Sequence, residues 1–231
     1  DTIDAEKSFK AWLYTVAQHT VYDYYRKLAQ DKKMQDHLIH TFTTFYNQTE
    51  DYISLLSGKK VGVVGNQTSL IENTHLIDSL LNHDISIIRV FSPEHGFRGD
   101  ADAGELVKSD TDKKTGLPLV SLYGKNKKPT NEQLKGIDIM LFDLQDVGVR
   151  FYTYISTLHY VMEACTENNI AVIILDRPNP ISGLMELNEG PSLDPHCTSF
   201  IGRWPMPIRH GCTLGELALY FNTERNINAT L

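Results

Sequence analysis

The sequence contains no apolar run approaching the ~20 residues that a membrane-spanning helix needs, and no charged-then-apolar leader opens it. Cysteine is scarce. Cys165, Cys197 and Cys212 lack metal-ligand spacing, and an odd number excludes a complete disulfide framework. They read as free thiols, with Cys165 a small buried hydrophobe. Positive charge is short as well: 22 Lys and Arg against 29 Asp and Glu leave a formal net charge of −7, which argues against a nucleic-acid surface for the chain as a whole. Three nucleotide and hydrolase signatures are missing. The first strand-to-helix turn reads VGVVGNQTS rather than G-x-G-x-x-G, no G-x-x-x-x-G-K-[ST] phosphate loop occurs, and no G-x-S-x-G elbow appears. His95, Asp143, Asp146 and His210 have no local metal-site spacing, so neither a metal nor any other cofactor is expected.

What is present is enough for a sizeable core: 231 residues, 41% of them hydrophobic and 22% charged, read as soluble and globular. A seam falls near residue 48. Residues 5–47 carry helical periodicity, with Phe9, Trp12, Leu13, Val16, Val21, Tyr24 and Tyr25 at three- and four-residue spacings. The stretch 8–27, SFKAWLYTVAQHTVYDYYRK, resembles the helical core of region 2 in extracytoplasmic-function sigma factors. That resemblance implies polymerase or promoter binding, with Arg26, Lys27, Lys32 and Lys33 on phosphates and Tyr24 and Tyr25 stacked on bases. A helical hairpin with a solvated basic edge is the plainer reading, so nucleic acid is a partner only if this segment is functional.

From residue 49 the signals alternate between strand and helix. Strands are expected at 61–65, 85–91, 117–122, 137–144 and 171–175. Helices are expected at 70–82, around 133–135, at 153–168 and at 214–222, the last opened by a capping box of Thr213 and Glu216. Nearly continuous apolar strands between amphipathic helices point to an α/β domain of three layers, a mostly parallel sheet covered on both faces. Residues 178–207, punctuated by Pro, Gly and Ser, read as a long irregular excursion.

In open parallel sheets ligands sit beyond the carboxyl ends of the strands. Here those ends are chemically equipped: Asn66 after the first strand, Glu94 and His95 after the second, Asp143, Gln145 and Asp146 after the fourth, Asp176, Arg177 and Asn179 after the fifth. Asn, Asp and Pro also form ordinary turns, so the repetition at one edge carries the argument. The result is a carboxylate-rich cleft with several arginines, suited to a polyhydroxylated, partly anionic ligand. Glycoside cleavage needs a protonated carboxyl to donate to the leaving oxygen, and a second carboxylate or the substrate's own acetamido group to meet the oxocarbenium ion. Glu94 is the expected acid, with His95 beside it and Asp146 or Asp143 as the neighbouring like charge. Arg98, Arg150, Arg177 and Arg209 are expected to grip a carboxylate, His210 to bind nearby, and Tyr152 to stack on a sugar face.

A second resemblance covers about three quarters of the chain. The motifs VGVVGNQTS (61–69), FSPEHGFRG (91–99), GLPLVSLYG (116–124), FDLQDVGVRFYTYIST (142–157), LDRPNP (175–180), EGP (189–191) and RHGCTLGELA (209–218) closely resemble the NamZ-type exo-β-N-acetylmuramidases. These are bacterial glycoside hydrolases that release N-acetylmuramic acid from non-reducing ends of peptidoglycan fragments. The resemblance implies a Rossmann-like amino-terminal domain, a catalytic glutamate at Glu94 and a muramic-acid-containing substrate whose lactyl carboxylate meets the arginines. It also implies a periplasmic or secreted setting, although without a leader the chain as it stands reads as cytoplasmic. With 1–48 as a sigma-like, foreign or fused segment and the family's carboxy-terminal domain missing after 222, the expectation is an incomplete site that binds weakly and turns over poorly. The rival expectation is a regulatory, sugar-sensing module associated with DNA or polymerase.

Overall fold

The computed structural model of the protein describes residues 49–231, apart from 72, 95, 99–109, 182 and 226. The chain divides between Asn47 and Gln48. The helical, sigma-like reading of 5–47 therefore lies outside the described residues.

Helix α1 (Thr49–Leu56) precedes strand β1 (Lys60–Gly65), whose KVGVVG sequence is buried at every position after Lys60. A strand so continuously apolar must be covered on both faces, and it is central: β1 pairs in parallel with β4 (Ser86–Ser92) on one side and β7 (Ile139–Asp143) on the other. Strand β6 (Pro118–Ser121) extends the sheet beyond β4, and β8 (Ala171–Ile174) extends it beyond β7. A two-residue strand, β5 (Asp110–Thr111), lies antiparallel to β6 and closes that edge, giving the order β5-β6-β4-β1-β7-β8. The chain runs outward from β1 to β6, then returns to the other side of β1 for β7 and β8. Such a reversal opens a crevice at the carboxyl ends of β1, β4 and β7.

Side chains alternate between the two faces of each strand, and two cores result. Val64, Phe91 and Phe142 face helix α4 (Tyr154–Glu167) and helix α5 (Leu214–Arg225), joined by Trp204 stacked on Phe221 at 4.5 Å. Val63, Val90 and Leu141 face α1 and α2 (Leu76–Asn82). The register sets Val64 level with both Phe91 and Phe142, so one layer of the first core is three neighbouring strands deep.

One local reading changes. Residues 70–82 do not form one helix: β2 (Leu70–Ile71) and β3 (Thr74–His75) pair as a small hairpin, and α2 starts only at Leu76. His75 imposes that boundary, because its ring accepts a hydrogen bond from the Ile77 backbone N–H and caps the helix. Helix α1 and strand β5 carry no periodic signal long enough to be read from sequence. The short turn near 133 is α3 (Asn131–Leu134), begun by a complete capping box of Thr130 and Gln133. Among its described residues the excursion 178–207 holds two 3-10 turns, Met185–Leu187 and Pro195–Cys197, and an isolated bridge between Ser199 and Gly202. All three cysteines are free, and burial pushes the Cys165 thiol up to about 12. Among the described residues no helix is long and apolar enough to cross a membrane.

Candidate functional site

The turn after β1 is a compact knot around Asn66, which is fully buried. Its side-chain carbonyl accepts the Thr68 N–H at 2.9 Å and the Thr68 hydroxyl at 2.7 Å, an Asx-turn that closes the loop. The Ser69 hydroxyl accepts the Asn66 N–H at 3.0 Å and donates to the Asp143 carbonyl at 2.7 Å, binding the tip of β1 to the tip of β7. Gly65 leaves the room: a Cβ there would sit 2.9 Å from Ser69 Oγ. The Asn66 amide nitrogen then reaches across to the Tyr154 hydroxyl at 2.8 Å.

Glu94 follows β4 in a tight turn, where the Gly96 N–H donates to the Pro93 carbonyl at 3.3 Å and Gly96 takes φ of 76°, a conformation open to glycine. Phe97 is buried edge-on against His75, with ring centroids 4.7 Å apart, and anchors the turn from below. The half-buried Glu94 carboxylate accepts a long hydrogen bond, 3.4 Å, from the Thr153 hydroxyl. Thr153 occupies the N-cap position of α4 but makes no side-chain cap, so its hydroxyl is left to face Glu94. His95 lies outside the described residues.

At the tip of β7 and just beyond it, three polar residues take separate roles. Asp143 is fully buried on the α1 side, and one of its oxygens accepts a hydrogen bond from Arg177 Nε at 2.7 Å, with Nη2 of the same guanidinium in ion-pair contact at 2.7 Å. Burial pushes the Asp143 carboxyl up, with the guanidinium opposing. Gln145 donates to the carbonyls of Asp146 and Pro178, at 2.7 and 3.2 Å. Asp146 is buried, accepts the Gly148 N–H at 2.7 Å, and lies 3.4 Å from Nε2 of the equally buried His210. Desolvation raises Asp146 to about 7 and lowers His210 to about 4. Gly148 has φ of 79°, and a Cβ there would come within 2.4 Å of Asn179, so this turn requires glycine.

Tyr152 and Tyr154 stand between these groups. Their rings meet edge to face at 4.6 Å. Both phenols are pushed up chiefly by burial, and both feel the charges of Glu94 and Asp146. The structure therefore gathers Asn66, Glu94, Asp146, Tyr152 and, through Asp146, His210. It also adds Thr153 and Tyr154, which sequence reasoning passed over. Their only signal was their place at the entry of a helix directly after Tyr152.

The arginines read as ligand grips are bound to protein acceptors. Arg98 forms two parallel 2.8 Å bonds to Asp112, which hold that carboxyl well below the usual range. Arg150 donates to the carbonyls of Pro191, at 2.8 Å, and Met206. Arg177 serves Asp143, and Arg209 donates to the Ile181 carbonyl at 2.8 Å. Asp176 accepts the Thr213 hydroxyl at 2.6 Å and the Gly215 N–H at 2.7 Å, fastening β8 to the start of α5. Asn179 donates to the carbonyls of His210 and Cys212, at 2.8 and 3.1 Å. These residues shape the rim by holding its loops. The Tyr152 ring, expected against a sugar face, meets Tyr154 edge to face. Among the described residues no group of His, Cys, Asp and Glu is arranged to hold a metal.

Fold and site together define a Rossmann-like α/β domain whose strand tips carry a rim of carboxylates and tyrosines in place of a nucleotide-binding glycine loop. Residues 61–231 match the family model described as "Exo-beta-N-acetylmuramidase NamZ, N-terminal", and the chain belongs to that family. It is 52% identical over 185 residues to the peptidoglycan beta-N-acetylmuramidase NamZ of Bacillus subtilis (strain 168), an alignment covering 78% of this chain and 44% of the relative. Two crystal structures of DUF1343 family proteins from Bacteroides fragilis NCTC 9343 share the fold at 42% identity. One has a TM-score of 0.71 over 79% of this chain and 46% of its own, the other 0.68 over 78% and 46%. The chain thus spans just under half the length of these relatives.

Proposed function

We propose that this domain supplies the acid-bearing half of a glycosidase site that cleaves β-linked N-acetylmuramic acid from the non-reducing ends of peptidoglycan fragments. The observation carrying the reading is that Glu94, in the turn after β4, accepts a hydrogen bond from Thr153 at the entry of α4, beside the Tyr152–Tyr154 edge contact and at the end of the sheet where the tips of β1, β4 and β7 lie side by side. Family membership and the activity for which the B. subtilis relative is named support the substrate class. In this reading Glu94 donates a proton to the leaving glycosidic oxygen. The oxocarbenium ion is met by the substrate's acetamido oxygen or by the carboxylate field of Asp146. The muramic lactyl carboxylate lies toward hydrogen-bond donors on the rim. Because the substrate is cell-wall material, the proposed place of action is the periplasm or the cell exterior.

The test is release of the aryl group from a chromogenic N-acetylmuramic acid β-glycoside, together with calorimetric binding of N-acetylmuramic acid. Glu94→Gln is expected to lower aryl release about 10²- to 10⁴-fold while leaving sugar binding largely intact. Release equal to wild type in Glu94→Gln would remove Glu94 from the mechanism. A wild-type chain that neither binds the sugar nor releases the aryl group would sink the reading.

A further inference from the structure

We propose that the Thr153 hydroxyl is the positioning group for the acid: it holds one oxygen of the Glu94 carboxyl and so assigns delivery of the proton to the other. The inference rests on the glycosidase reading above and adds Thr153 to it as a residue that acts through Glu94.

Thr153 Oγ1 lies 3.4 Å from Oε2 of Glu94, the single hydrogen bond its hydroxyl makes among the described residues. A threonine at the start of a helix ordinarily turns its hydroxyl onto the backbone N–H groups of the first turn. Thr153 does not: its backbone is already helical, with φ of −69° and ψ of −14°, and no side-chain cap forms. The hydroxyl is released from that local duty and faces a residue 59 positions earlier in the chain. Its place is fixed from both sides. Tyr152 donates its N–H to the Val149 carbonyl at 3.0 Å, and the Thr153 carbonyl accepts the Thr157 N–H at 3.0 Å and the Thr157 hydroxyl at 3.2 Å. Buried Tyr154 accepts the Asn66 amide at 2.8 Å, which ties the helix start to the tip of β1. A β-branched side chain on a backbone held this way has few rotamers, so the hydroxyl points where the helix start puts it.

The chemistry follows from donor and acceptor roles. An ionised carboxyl can only accept, so Thr153 is the donor and Oε2 the acceptor. Keeping that bond in the protonated acid places the acidic proton on Oε1, which has no hydrogen-bond partner among the described residues and is left to the glycosidic oxygen. When Oε1 delivers its proton, the bond from C1 to that oxygen breaks, its electron pair leaves with the oxygen as a neutral alcohol, and Glu94 becomes a carboxylate. A hydroxyl bonds a carboxylate more strongly than a neutral acid, so the Thr153 bond tightens as the proton departs. That is stabilisation made in the transition state rather than in the ground state. The 14-residue helix α4 adds to it, because its positive end begins beside the same carboxyl. A length of 3.4 Å suits such a bond before substrate arrives, since catalytic hydrogen bonds are often long in the empty site.

The full chain tests this as wild type, Thr153→Val, Thr153→Ala and Thr153→Ser, with thermal melting to show that each is folded. Two β-glycosides of N-acetylmuramic acid serve as substrates, one releasing nitrophenol and one releasing phenol. A nitrophenolate departs with little help from an acid, whereas the more basic phenol needs the proton. Thr153→Val and Thr153→Ala are expected to lower kcat about tenfold on the phenyl glycoside, the effect of one charge-assisted hydrogen bond. On the nitrophenyl glycoside kcat is expected to change little, and KM is expected to hold on both. Thr153→Ser keeps the hydroxyl and is expected to restore most of the lost rate. Equal losses on the two glycosides, no recovery in Thr153→Ser, or Val and Ala variants as active as wild type would each overturn the inference and leave the glycosidase reading standing. A folded wild type that hydrolyses neither glycoside would overturn both.

Discussion

At the scale of single residues, the buried Asp146–His210 pair makes the molecule's response to acid depend on two opposed titrations. His210 sits near 4 in the folded chain against a usual 6.5, so between those values the unfolded chain binds a proton that the folded chain does not, and stability rises with pH. Asp146 sits near 7 against 3.8, so the folded chain keeps a proton that the unfolded one has lost, and stability falls with pH. Each slope is about 1.4 kcal/mol per pH unit, and over the shared window they cancel. Asp146→Asn is therefore expected to steepen the rise in unfolding free energy by about 1.4 kcal/mol per unit between pH 4 and 6.5, relative to wild type. Urea unfolding at several pH values measures it, and parallel curves for the two proteins would contradict it. Glu94 was legible in the sequence as an acid at a strand tip. Tyr154 was not, because an aromatic at a helix entry looks like core whether or not its hydroxyl has work.

At the scale of elements, capping ties the rim to the scaffold. Thr213 and Glu216 exchange the two bonds of a capping box, at 3.2 and 2.9 Å, as their spacing in the sequence suggests. Asp176 adds a second cap from outside the helix, taking the Gly215 N–H and the Thr213 hydroxyl. Asp176→Ala is expected to destabilise the domain by about 1–2 kcal/mol, the usual effect of losing an N-terminal cap, with little change in sugar affinity. Melting and calorimetry separate the two. A large affinity loss at unchanged stability would return Asp176 to the ligand. The hairpin of β2 and β3 shows the limit of periodicity at this scale. Leu70, Leu76, Ile77 and Leu80 fit helical spacing, yet the Asn66 knot and the His75 cap divide the segment.

At the scale of the whole molecule, the parallel sheet unites two hydrophobic cores, so neither face folds without the other. Leu141 and Phe142 are adjacent and both fully buried, one in each core. Truncating either to Ala is expected to cost about 2–5 kcal/mol. In both variants residues 49–231 should still unfold in one transition by circular dichroism and hydrogen exchange, because one strand carries both side chains. Separate melting of the α1–α2 face and the α4–α5 face would refute that coupling.

The sequence by itself determined the layered α/β class, the strand positions and the edge of the sheet where chemistry gathers, because apolar runs and turn residues are local properties of the chain. Its long motifs determined the family. Only the tertiary structure decided which polar side chains meet. Arg98 finds Asp112, Arg177 finds Asp143 and Asn66 finds Tyr154 across separations of 14, 34 and 88 residues, and no spacing rule reaches that far. The reason is physical. An arginine or a tyrosine is defined by the partner that three-dimensional packing brings to it, and desolvation, which moves Asp146 and His210 in opposite directions, exists only once the chain has closed around them.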